Sequence, residues 1–123
     1  MIPIPKNMLP NKATYLKYKA DDGEGSSYEE PVTLDHVKID EQKQIVYTSN
    51  GTELVGNAIL FYDLVNSTGL DEKPVNESLI IFEDRTYTVV DTDVLRGNSN
   101  RPHHYEIKLK WELSKILIVA LIG

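Results

Sequence analysis

From His103 to Leu113 the chain alternates without a break. The odd positions read His103, Tyr105, Ile107, Leu109, Trp111 and Leu113; the even ones read His104, Glu106, Lys108, Lys110 and Glu112. Successive side chains of a strand point to opposite faces, so this segment has one apolar and one charged face. Such a strand belongs to an antiparallel sheet with one wet side. It predicts a small β domain and carries no chemistry of its own.

The rest of the chain is read around that strand. Pro3, Pro5 and Pro10 deny regular pairing to residues 1–12, which read as an irregular arm. Residues 13–19 have the β-branched and aromatic character of a first strand. The acidic, glycine-rich stretch over 20–30 then reads as a mobile loop. Val32 and Leu34 share one parity while Val37 and Ile39 share the other, which predicts a bulge or bend near Asp35-His36. A turn is expected over Asp40 to Lys43, a strand from Gln44 to Ser49, and another turn at Asn50-Gly51. Ala58 to Leu64 is apolar at nearly every position, the pattern of a fully buried strand or a short helix; its length and Phe61-Tyr62 favour the strand. After a polar loop over 66–77, Leu79–Phe82 and Thr86–Val90 form a hairpin about Glu83-Asp84-Arg85. Leu95 to Pro102 reads as a second irregular loop. Short strands at this spacing predict an all-β antiparallel barrel or sandwich with long flexible loops. The domain is expected over 13–113, between the arm and an apolar extension over 114–123.

Composition narrows the function classes. With 123 residues and no cysteine, the chain can bury a core without disulfide or thiolate-metal staples. The net charge of −6 argues against a protein that holds DNA by neutralising phosphates. Acids gather at Asp21, Asp22, Glu24, Glu29 and Glu30. They read either as a solvated loop or as a surface that repels DNA or docks a basic partner. Met1 to Pro10 lacks the apolar core of a secretory signal. The run Ile116 to Ile122 is far shorter than the roughly 20 residues of a membrane span. No membrane association is expected.

Residues with potential chemistry each meet a plainer alternative. His103 and His104 stand near Asp91 and Asp93, yet neighbours on a regular strand face opposite ways and could not share one ion. His103 is expected to cap the apolar face and His104 to meet solvent or a partner. The serines at 26, 27, 49, 67, 78, 99 and 114 lack a nucleophile-elbow context. No catalytic residue, metal or cofactor is expected. The glycosylation-type triplets at Asn50, Asn66 and Asn76 read as polar turns. An oligonucleotide-binding barrel would want Tyr15, Tyr18, Tyr47 and Tyr62 as stacking platforms beside a basic groove. The acidic balance makes core tyrosines the better explanation. The segment Lys115 to Ile122 is apolar on both parities and must be covered, with a contact between subunits favoured.

Three stretches in order carry a resemblance: Ala58-Ile59-Leu60-Phe61-Tyr62-Asp63-Leu64-Val65-Asn66-Ser67, Leu79-Ile80-Ile81-Phe82-Glu83-Asp84-Arg85-Thr86-Tyr87-Thr88-Val89, and His103-His104-Tyr105-Glu106-Ile107-Lys108-Leu109. Together they resemble the minor capsid proteins of long-tailed phages and prophages of Gram-positive bacteria, a family similar to the head-closure, or stopper, proteins of the head–tail connector. The resemblance covers roughly residues 13–110. It implies a small β-barrel whose copies form a ring between the portal-bound adaptor and the tail, in the virion, without catalysis or cofactor. DNA would pass nearby without specific binding. Glu83-Asp84-Arg85 lacks the glycine common at that turn, and the tail beyond Lys110 is longer and more apolar than the family pattern. The segments expected to meet neighbours are the acids at 21, 22, 24, 29 and 30, then Arg96, Arg101, Ile116, Leu117 and Val119. A protein-binding β module outside the virion and a nucleic-acid-binding barrel are the alternatives.

Overall fold

The computed structural model of the chain describes residues 3–22, 25–49, 51–96 and 102–111. Among the described residues, eight strands follow one 3₁₀ turn at Lys6–Met8: β1 (Asn11–Leu16), β2 (Tyr18–Asp22), β3 (Gly25–Tyr28), β4 (Val32–Thr48), β5 (Gly51–Asp63), β6 (Leu79–Phe82), β7 (Arg85–Arg96) and β8 (Pro102–Trp111). Six of them close an antiparallel barrel in the order β1-β4-β5-β8-β7-β6, and β2 and β3 form a separate two-stranded hairpin. The fold class read from the alternation is therefore the one observed.

Closure explains why β4 is so long. Partners followed once round the barrel from Val32 run through Tyr15, Ile80, Tyr87, Trp111 and Gly56, and return to β4 at Lys43. Strands of a closed sheet must tilt and stagger, so one strand has to span the offset. The turn expected over Asp40 to Lys43 is thus absent. Those residues lie mid-strand, paired with Gly56 to Ile59 of β5. Beyond them, Gln44–Thr48 and Gly51–Val55 pair only with each other among the described residues, as a two-stranded ribbon. The turn joins Thr48 to Gly51, whose φ is +119°.

Three bulges set which side chains face inward. On β4, Asn11 pairs with Val37 and Ala13 with Leu34, which leaves an extra residue at Asp35-His36, where His36 takes φ +53°. The parity shift in the sequence marked that place. On β7, Val89 pairs with Leu109 but Asp91 with Lys108, so Val90 is extra and half exposed. Inward positions move from Tyr87 and Val89 to Thr92 and Val94 as a result. On β8, Leu95 pairs with His104 but Arg96 with Pro102, which makes His103 the extra residue.

The core holds Leu34, Val37, Leu60, Ile80, Val89 and Ile107, none with measurable exposure, together with Tyr15, Tyr62, Tyr87 and Trp111. Within Ala58 to Tyr62 only Ala58, Leu60 and Tyr62 face this core, and Ile59 stays exposed. A run apolar at nearly every position suggests burial on both faces. This one in fact alternates, because the barrel covers one face of the strand only. At one mouth the barrel is plugged by Glu41. Its carboxylate accepts from Arg85 Nε (2.5 Å) and Nη2 (2.7 Å) and from the Tyr87 hydroxyl. Burial and the neighbouring carboxylate push the Tyr87 phenol up to about 12.

The stretch over 20–30, expected as a loop, is the β2–β3 hairpin in its described part, with Asp21 opposite Ser26 and Asp22 opposite Gly25. Tyr18 and Tyr28 meet edge to face at its base, ring centroids 6.1 Å apart. An aromatic pair at the root gives the polar arm a register that composition alone did not suggest. Likewise Asn11 and Lys12, read as part of the irregular arm, already belong to β1, and Leu95, Arg96 and Pro102 belong to strands. The residues between Arg96 and Pro102, and those over 114–123, lie outside the described part.

Candidate functional site

Topology sorts the connections. The β2–β3 hairpin, the β5–β6 loop over 64–78 and the β7–β8 connection all leave one end of the barrel. The β4–β5 and β6–β7 turns leave the other. The first end forms a rim, and that rim is the candidate site.

Tyrosine hydroxyls hold the rim in place. Tyr15 Oη accepts from Val75 N–H (3.1 Å) and lies 3.3 Å from Ser78 Oγ, which in turn accepts from Tyr18 N–H (2.9 Å). Tyr62 Oη accepts from Leu70 N–H (3.0 Å), and burial raises its phenol above the ordinary value. Both rings are buried, so Tyr15 and Tyr62 are core residues that tie down a loop, not exposed stacking platforms. Gly69, at φ +120°, lets the loop press on β4: a Cβ there would collide with the Thr33 carbonyl and Leu34.

A second knot is built on Asp63. This carboxylate is fully buried and accepts from the N–H groups of Ile4 (3.0 Å), Val65 (3.0 Å) and Asn66 (2.8 Å). Asn66 Nδ2 donates to the Ile4 carbonyl (2.7 Å), and so the N-terminal arm is held from both sides. Ser67 donates to the His36 carbonyl and accepts from Asp63 N–H (2.9 Å). Its hydroxyl is thus spent on structure, as is that of Ser78.

Between the hairpin and the loop lies a groove of about 100 Å³ floored by Tyr15, Val32, Gly69 and Leu70. Four carboxylates line it, Glu29, Glu30, Asp71 and Glu72, against one ammonium, Lys17. Lys17 Nζ is 2.6 Å from Glu72 Oε1 and 4.0 Å from Glu29 Oε2. The Glu72 hydrogen bond raises the Lys17 ammonium, and the same bond holds the Glu72 carboxyl below its usual range. The groove keeps an excess of negative charge and suits a basic segment.

The residues read from the sequence as interface positions fall as follows. Glu29 and Glu30 are exposed at the groove. Asp21 and Asp22 lie on β2, in the hairpin at the same end. Arg96 ends β7 and is exposed on the rim. Glu24, Arg101, Ile116, Leu117 and Val119 lie outside the described residues. Asp71 and Glu72 were missed. They stand in a polar loop forty-two residues downstream of Glu29 and Glu30, and only folding brings the two acidic pairs together.

His103 and His104 also sit on this rim, at the foot of the β7–β8 connection, and here the expectation is corrected. Their Nδ1 atoms are 2.8 Å apart, the rings at 81°, and both rings are half-buried. They meet because the bulge at His103 cancels the alternation of a regular strand. Among the described residues, no group of three or more His, Asp or Glu side chains is placed to hold a metal.

Set against known proteins, residues 5–109 match a family model described as minor capsid protein. No curated protein matches the chain.

Proposed function

The chain belongs to the minor capsid protein family, a family of phage virion structural components, and from that premise we propose that it is a connector subunit at the junction of head and tail. Family membership points to a structural rather than an enzymatic role. In this reading the closed barrel is the rigid body of a ring subunit, and the rim is the face that meets the portal-bound adaptor or the tail. The observation that carries it is the polarity of the molecule: three long connections and the acidic groove share one end of a barrel that has no sheet edge along its body. A partner that presents lysines or arginines would add several charge-assisted contacts to those Lys17 makes with Glu72 and Glu29. The net charge of −6 keeps packaged DNA from adhering as it passes.

The test is assembly on purified portal–adaptor complex, imaged by electron microscopy. A ring of added density that contains this chain is the expected result; particles without it would remove the connector assignment. Lysine substitutions at Glu29, Glu30, Asp71 and Glu72 together are expected to abolish the added ring while the barrel stays folded.

A further inference from the structure

The barrel closes on itself along its body, so two copies can meet there only through side chains on its outer faces. One such face carries an apolar groove of about 200 Å³, lined by Ile4, Met8, Leu9, Lys38 and Phe61. It lies on the outer side of β4 and β5, where Asp63 and Asn66 fasten the N-terminal arm. Met8 is 56% exposed at its edge, and Ile59 is the neighbouring outward residue of β5. Lysines border it. Lys6 is exposed on the 3₁₀ turn, and Lys38 Nζ stands 6.0 Å from the Phe61 ring centroid and 3.8 Å from Asp40 Oδ1. The opposite face carries a complement. Round the closed sheet, β7 stands three places from β4 in either direction. The β7 bulge pushes Val90 out of the alternation and leaves it 51% exposed. Asp91 beside it is also exposed, while Lys108 turns to Asp93, 3.3 Å away.

We propose that copies of this chain associate head to tail, with Val90 of one copy entering the Met8–Phe61 groove of the next and its Asp91 meeting Lys38 and Lys6 there. Burial of valine against methionine and phenylalanine supplies the attraction, and the aspartate–lysine pairs set the register. Two Val90 knobs brought together would instead set two Asp91 carboxylates side by side, which disfavours a two-fold contact. A contact between two different patches does not end with a pair. It repeats from copy to copy and gives a ring where the rotation closes. Closure into a ring rests on the connector reading; the contact itself does not. Both patches lie on the barrel wall, so the acidic rim stays open to the adaptor or tail.

The chain has no cysteine, so single thiols can test the contact directly. Full-length Met8→Cys and Val90→Cys, mixed at high concentration with a short thiol-to-thiol crosslinker, should give a dimer that neither gives alone. A chain with both substitutions should give a ladder of dimers, trimers and larger species. Asp84→Cys, on the exposed β6–β7 turn, should give no such product with Val90→Cys. Adding Asp91→Lys to the Val90→Cys chain should cut the mixed product by about fivefold, and Lys38→Glu in the Met8→Cys chain should restore it. No mixed dimer, or dimers from Val90→Cys alone, overturns the inference. The unsubstituted protein gives a check independent of mutant folding. Raising its concentration should shift the amide resonances of Met8 and Phe61 together with those of Val90 and Asp91; shifts at one face only, or at neither, would also overturn it. The connector reading is separable. A ring on the portal–adaptor complex that does not crosslink through these thiols sinks the contact alone, and crosslinking in solution without such a ring sinks the connector alone.

Discussion

Glu83 is one of three non-glycine residues with positive φ among the described residues, beside His36 and Glu77. It takes φ +57° in the two-residue turn between Phe82 and Arg85. Left-handed backbone costs an L-residue roughly 1–2 kcal/mol. Its exposed contact to Arg85 (3.2 Å) returns little of that, since surface ion pairs are weak. Glu83→Gly is therefore expected to raise the melting temperature by a few degrees, measured by thermal denaturation. The opposite holds at Gly69, where alanine would meet both the positive φ and the Thr33 carbonyl. Gly69→Ala is expected to cost about 2 kcal/mol or more in denaturant unfolding. Tyr87 supplies a pH signature. Its phenol titrates near 10 unfolded and about 12 folded, so between those values the folded state binds more protons than the unfolded state. Stability should thus be unaffected by this group below pH 10 and fall as pH rises towards 12. Tyr87→Phe is expected to flatten that part of the curve in melts taken from pH 9 to 12.

At the scale of elements, the strand from His103 to Trp111 was legible because one buried face imposes a period of two on its residues. The β4 bulge was legible for the same reason: the apolar parity changes at Asp35-His36, where the register slips. The bulges at Val90 and His103 left no such trace. Val90 is apolar yet exposed, and His103 could face either way. The length of β4 was hidden for a different reason. Asp40 to Lys43 is polar enough to pass for a turn, but barrel stagger requires a strand there. Glu41 earns its place by meeting Arg85 and Tyr87 across the mouth. Removing that acceptor leaves the Arg85 guanidinium, 18% exposed, only its solvent-facing contacts to Glu83 and Asp84, and leaves a buried phenol without its carboxylate. Glu41→Ala is expected to destabilise the barrel by about 2–3 kcal/mol, somewhat less than for a fully buried pair. Arg85→Met together with Glu41→Leu should recover part of it in the same denaturation assay.

For the molecule as a whole, the decisive contact is the closure of β1 on β6, where Tyr15 meets Ile80 across more than half the chain. Such non-local pairing predicts refolding in milliseconds to seconds by stopped-flow fluorescence of Trp111. The alternating residues committed this chain to antiparallel strands with one dry face, since a strand's side chains can satisfy water and core only by taking turns. What no linear reading could supply was proximity. Glu29 and Glu30 join Asp71 and Glu72 in one groove, the hydroxyls of Tyr15 and Tyr62 capture a distant loop, and two neighbouring imidazoles converge. Each depends on barrel closure or on a bulge, and both arise from how strands register against one another in space, an energy shared between partners that no single strand's sequence contains.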